Sequence, residues 1–188
     1  MGGCEVEASK LKSALKEIVS TSIYILAAVI IVFILTEFVV QKTVVVGASM
    51  ENTVHDGDHI LVNKLIYDFS EPKRFDVIVF PYHLDKSMFF IKRVIGLPNE
   101  TVRIDEDGII YIDGEQLQEN YGKEVILDAG VAAETITLGD DEYFVLGDNR
   151  NNSSDSRDSR VGFITAEEII GNASLRIWPI EDFGIVRH

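Results

Sequence analysis

The sequence predicts an all-β fold: an antiparallel β-sheet or partly closed barrel with a small β-hairpin subdomain, preceded by one N-terminal transmembrane helix. Three observations predict it. Residues 18–36, IVSTSIYILAAVIIVFILT, carry no charge over nineteen positions. At about 1.5 Å per residue that run reaches roughly 28 Å, close to the hydrocarbon thickness of a bilayer. After Thr43 the pattern changes to alternation in short β-branched and aromatic runs, the period of strands with one buried face. Turn pairs separate those runs, at Asp56-Gly57, Asp107-Gly108, Asp113-Gly114 and Gly139-Asp140, and such regular punctuation of short strands belongs to antiparallel sandwiches and barrels.

From the N-terminus, residues 1–17 form a short segment ahead of the span, and the span covers residues 18–40, because FVV after Glu37 extends the apolar run. Glu37 then sits at interfacial depth, where water reaches a carboxylate. A removable secretory signal is the other reading, and Val46-Gly47-Ala48 offers the small residues of a cleavage site. A signal's apolar core, however, is about 7–15 residues, shorter than this run. Lys10, Lys12 and Lys16 precede the span, and only Lys42 follows it closely. That asymmetry leaves the N-terminus in the cytoplasm and residues 41–188 outside, on a single-pass protein of the cytoplasmic membrane.

In the outer part, DHILVNKLIY, RFDVIVFPY, MFFIKRVIGL, ETVRIDEDGIIYIDGEQL, ETITL, EYFVLGD and ASLRIWPI each read as strand-forming runs. The hairpin VRIDEDGIIYIDGEQL predicts a small inserted subdomain at about residues 99–146. Glu167 to Ile170, with Thr165 as N-cap, reads as one helical turn. The stretch GDNRNNSSDSRDSR, residues 147–160, has too little apolar content for a strand and too many turn formers for a helix. It is a loop, either plain solvated surface or the kind of segment that carries chemistry on a rigid scaffold.

Charge limits the partners. Up to Lys42 four lysines balance four glutamates, so the whole formal charge of −14 belongs to the part beyond the membrane. An acidic domain has no electrostatic route to nucleic acid, and any surface it lays against lipid must be apolar. The single cysteine, Cys4, precedes the span. The outer domain therefore has no disulfide and folds by burial alone. His55 and His59 have no matching cysteine or histidine pair, so no metal site and no cofactor is expected.

The residues VVVGASMENTV, 44–54, place Ser49 just outside the membrane. A serine hydroxyl is a weak nucleophile near neutral pH and needs a base within hydrogen-bond reach. His55, His59, His83 and His188 are available, though turn histidines are mostly solvated. Lys92 is the other base. Strand alternation puts Phe90, Lys92 and Val94 on one face and Ile91, Arg93 and Ile95 on the other. A lysine sharing an apolar face either snorkels its ammonium to water or is desolvated, with its pKa lowered enough to accept a proton.

Four separated stretches, GASMENTVHDGDHILVNK, FDVIVF, FFIKRVIGLPNETV and VLGDNRNNSSDSRDSRVGFI, resemble the sequence boxes of bacterial type I signal peptidases, in that order and behind a membrane anchor. The resemblance runs from about Ile25 to Trp178. It implies that Ser49 is the nucleophile and Lys92 the base, that Ser153 hydrogen-bonds and orients the lysine amine, and that Asp148 pairs with Arg93 and Asp155 with Arg157. It implies an oxyanion hole that uses the Ser49 backbone N–H. Some family members add a serine hydroxyl two residues before the nucleophile; that position is Gly47 here. Asn52 stands where the family usually has proline; proline stiffens such a turn through its fixed φ, whereas asparagine can close an Asx-turn, so altered rigidity without lost activity is expected. Val45, Met50, Val54, Phe90 and Ile91 match positions that line shallow apolar pockets for small substrate side chains.

The implied activity is that of a membrane-bound serine endopeptidase that cleaves signal peptides from preproteins after small residues, needing no metal or cofactor. A self-cleaving Ser-Lys protease is an enzymatic alternative, although such proteins lack the membrane span. An inactive, membrane-tethered peptide-binding β domain is an alternative of another class.

Overall fold

A computed structural model describes residues 2–34 and 39–187, which fall into two compact units, one up to residue 39 and one from Val40 onward. The first unit is a single helix, α1, Gly2–Ile34. Within it Leu15–Phe33 is long and apolar enough to cross a bilayer, with a mean hydropathy of 2.0 and no residue buried against protein. The residues expected ahead of the span therefore continue into it as helix. The span does not run to Val40 as expected, because Val40 already opens a strand. Residues 35–38, including Glu37, lie outside the described residues.

The second unit is antiparallel β, as expected. Its larger sheet has the order β1-β2-β11-β3-β4-β9-β10, with β12 paired to β11. These strands are β1 Val40–Val44, β2 His59–Asn63, β3 Val77–Tyr82, β4 Asp85–Gly96, β9 Glu142–Leu146, β10 Ile164–Thr165, β11 Gly171–Trp178 and β12 Gly184–Ile185. The pairing order is linear, with β1 and β10 at its ends. A smaller sheet of order β7-β6-β5-β8 comprises β5 Thr101–Ile104, β6 Ile110–Ile112, β7 Glu115–Gln116 and β8 Ile136–Thr137. It contains the hairpin read from sequence. Glu142–Leu146, counted with the insertion on sequence grounds, instead pairs with β4 in the larger sheet.

Alternation along the strands assembles the core. In β2, Ile60 and Val62 are buried and His59, Leu61 and Asn63 are not, and the buried pair packs with Val45, Met50, Val54, Val77, Val79 and Ala173. β4 is central where β3 and β9 flank it, and residues 93–96 are buried on both faces. Its alternation survives in the packing. Phe90 and Val94 join the cluster of Ile78, Phe80, Tyr143 and Val145, while Ile91 and Ile95 join the two other clusters. Ahead of Lys92 the strand pairs with β3 alone, so its other edge carries no strand among the described residues.

Two short elements differ in how well their sequence announces them. Ile66–Phe69 is one helical turn, α2, where alternation suggested strand. Thr165 caps the 3-10 turn Ala166–Glu168 at the expected place, with the Glu168 carboxylate accepting from the Thr165 backbone N–H at 2.9 Å and from its hydroxyl at 3.0 Å.

Candidate active site

Ser49 lies in a tight turn after β1, closed by backbone bonds from Glu51 N–H to Ala48 C=O and from Thr53 and Val54 N–H to Met50 C=O. Its hydroxyl is 2.9 Å from Lys92 Nζ. A second amine hydrogen goes to the Ile91 carbonyl at 2.9 Å. Lys92 is 3% exposed, so it does not snorkel. Burial drives its pKa from the usual 10.5 down to about 8, against the pull of the nearby Asp155 and Asp148 carboxylates, which favour the ammonium. The Phe90 ring centroid lies 4.9 Å from Nζ. No histidine shares a hydrogen bond with Ser49 among the described residues. His55 faces Asp58 at 3.9 Å and is largely exposed, His59 lies beside Trp178 and His83 beside Tyr82. His188 lies outside the described residues.

Arg93, the next residue, serves the opposite side of the strand. Its Nε and Nη2 clasp Asp148 Oδ1 and Oδ2 at 2.8 and 2.7 Å, and both side chains are fully buried. Nη1 donates to the Phe75 and Arg187 carbonyls and Nη2 also to Thr53 Oγ1. Every guanidinium hydrogen is thereby used, which is what a buried cation requires. The Thr53 hydroxyl in turn donates to Asp148 Oδ2 at 2.5 Å. This chain of bonds ties the nucleophile turn to the lysine strand. Asp155 and Arg157 form the second expected pair, two-pronged at 2.8 and 2.9 Å, and Asp155 also accepts from the Gly147 N–H.

Ser153 departs from expectation. Its Oγ makes no bond to Lys92; it is a buried oxygen without a hydrogen-bond partner among the described residues. It lies against the backbone of Gly147, where a Cβ would come within 2.2 Å of Ser153 Oγ and 2.5 Å of the Ser49 carbonyl oxygen. The polar loop and the Ser49 turn approach each other closely at Gly147, while the amine spends its hydrogens on Ser49 and Ile91. Asn52 departs too. Its φ is 99°, and its side-chain amide closes no Asx-turn but donates to the Tyr121 carbonyl, 69 residues away, at 3.1 Å.

A cleft of about 600 Å³ opens over Ser49 and Lys92, lined by residues 43–50, 87–92, Val79, Asn152 and Ser154. Of the five expected pocket residues, Val45, Met50, Phe90 and Ile91 line it. Val54 does not, being buried in the core beside Val45 and Met50. The Ser49 N–H is engaged by no bond among the described residues, whereas the Gly47 N–H is held by Asp56 Oδ1 at 2.8 Å and offers no second donor.

Asn149 was not singled out from the sequence and is prominent here. Its backbone N–H donates to the Ser49 carbonyl at 3.0 Å and its side-chain amide to the Ala48 carbonyl at 2.9 Å. Only its place beside Asp148 in the polar loop hinted at this role.

Known proteins resemble this chain over most of its length. Residues 17–178 match the family model described as signal peptidase, peptidase S26. The chain is 38% identical over 168 residues to a signal peptidase I of Bacillus caldolyticus, covering 83% of this chain and 89% of that one. It is 35% identical over 164 residues to a probable signal peptidase I-2 of Synechocystis, covering 85% and 72%. A crystal structure of a signal peptidase I from Enterococcus faecalis V583 is 36% identical, with a TM-score of 0.46 over 55% of this chain and 97% of that one.

Proposed function

The chain belongs to the signal peptidase family, peptidase S26, membrane proteases that cleave signal peptides, and from that premise we propose that Ser49 and Lys92 form its catalytic dyad. Neutral Lys92 accepts the Ser49 proton as Oγ attacks the scissile carbonyl carbon. The oxyanion that forms accepts from the Ser49 N–H. Collapse expels the new N-terminus of the mature protein, protonated by Lys92, and leaves the signal peptide esterified to Ser49. Lys92 then takes a proton from water, the hydroxide attacks the ester, and Ser49 recovers its proton as the signal peptide leaves.

The observation that carries this reading is the 2.9 Å separation of a buried, pKa-lowered amine and a serine hydroxyl. The cleft supports an extended substrate. The unpaired edge of residues 85–92 offers backbone groups for strand addition, with Val45, Met50, Phe90 and Ile91 meeting its side chains. The anchor has its N-terminus in the cytoplasm and the catalytic unit on the outer face of the membrane, as the lysine asymmetry supports. Preproteins bearing signal peptides are the substrates. The test is cleavage of a reporter preprotein by full-length protein, with product masses read by mass spectrometry. Ser49→Ala and Lys92→Ala each abolish cleavage on this account, and normal processing by either variant overturns it.

A further inference from the structure

Between β7 and β8 the chain runs from Leu117 to Thr135 with a single 3-10 turn, Gly130–Ala133. Its contacts fall on the elements that carry the dyad. The Tyr121 carbonyl accepts from Asn52 Nδ2 at 3.1 Å. Lys123 pairs with Glu51 at 2.6 Å and its N–H donates to the Asp148 carbonyl at 2.7 Å. Further along, Glu119 pairs with the buried Arg150, Leu127 N–H and Val125 C=O bond the Asn151 side chain, and Val131 N–H bonds the Arg157 carbonyl. The Tyr121 ring lies 3.8 Å from the Arg93 guanidinium and packs on Phe75. None of these segment residues lines the substrate cleft.

One of these contacts is unusual in kind. Asn52 holds a φ of 99° three residues after the nucleophile, a region that side chains other than glycine rarely occupy and that persists where surrounding structure holds it. Its amide is bonded to the Tyr121 carbonyl, so the hold comes from outside the turn. A displacement of about 1 Å in a reacting group lowers rates by as much as 10²-fold.

We propose that residues 117–131 are a positioning strap for the nucleophile turn, with Asn52 as its clasp, so that the Asn52–Tyr121 bond sets the Ser49 hydroxyl against Lys92. The proposal rests on the Ser49–Lys92 reading. Because the strap lies away from the cleft, it governs turnover and leaves substrate binding alone. Asn52 is thus a positioning residue that never touches substrate.

The test uses full-length protein in detergent micelles with a soluble signal-peptide substrate. Asn52→Asp keeps the side chain's shape and its tolerance of positive φ but removes the donor; Asn52→Gly accommodates the backbone and removes the side chain. Each folded variant is expected to lose roughly 10-fold in kcat with KM within about twofold of wild type. Wild-type kcat in either folded variant overturns the strap, as does a fall in kcat matched by an equal change in KM. If instead Ser49→Ala retains cleavage, the dyad fails first, and the two failures are distinct.

Discussion

At the scale of single residues, the cost of the site is concentrated in Lys92. Its amine leaves water for a place where burial lowers its pKa from 10.5 to about 8, a difference of roughly 3 kcal/mol between the two protonation states. The sign follows from proton counting. Below pH 8 both folded and unfolded chains carry the charge and the folded one bears the full penalty. Between 8 and 10.5 the unfolded chain binds more protons, so wild-type stability rises with pH. The stability of Lys92→Met relative to wild type is therefore expected to fall by roughly 3 kcal/mol between pH 7 and pH 10.5, as the wild-type penalty is lifted. Urea unfolding of both proteins across that range measures it, and a gap constant with pH contradicts a desolvated amine. The buried Arg93–Asp148 pair behaves differently. Asp148→Ala leaves an unpaired guanidinium at full burial and is expected to cost about 3–5 kcal/mol, read as a lowered urea midpoint. Both basic residues were legible in the sequence, because alternation sends neighbours in a strand to opposite faces. Asn149 and Thr53 were not. Their bonds join positions 101 and 95 residues apart, and such pairings leave no period behind.

At the scale of elements, β4 and the polar loop 147–160 do the positioning together. The loop meets the nucleophile turn at Gly147, where any Cβ would press on Ser153 and on the Ser49 carbonyl. Gly147→Ala is expected to destabilise the protein by about 1–3 kcal/mol and to reduce cleavage at temperatures where it remains folded. Circular dichroism and the preprotein assay measure the two effects, and an active variant of wild-type stability contradicts the contact. Strands bounded by Asp-Gly pairs, such as β5 and β6, were legible because the turn chemistry announces them. β1 was hidden. Its sequence VQKTV follows the apolar span without a break, and only its pairing with β2 makes it a strand. The turn at Ile66–Phe69 was misread because isoleucine and tyrosine favour strands, while its backbone follows local bonds such as Asp68 N–H to Leu65 C=O.

At the scale of the whole molecule, the chain comprises an apolar helix and an acidic β unit, and on the proposed reading the first anchors and the second carries the chemistry. Confining enzyme and preprotein to one membrane raises their effective concentration with no added contact. Deleting residues 1–38, which leaves β1 intact, is expected to weaken cleavage of membrane-inserted preprotein far more than cleavage of a short soluble peptide. Equal losses on both substrates contradict that role for the helix. The apolar helix was legible from the uncharged run alone. The linear strand order was not, since β2 pairs with β11 across more than a hundred residues, a choice made by packing. All of it serves one buried amine, and the decisive measurement is the pH dependence of kcat/KM for a signal-peptide substrate. The rate should rise toward alkaline pH with a midpoint near 8, where Lys92 loses its proton. A midpoint near 6.5 that vanishes in His55→Ala would transfer the base to histidine and contradict the mechanism.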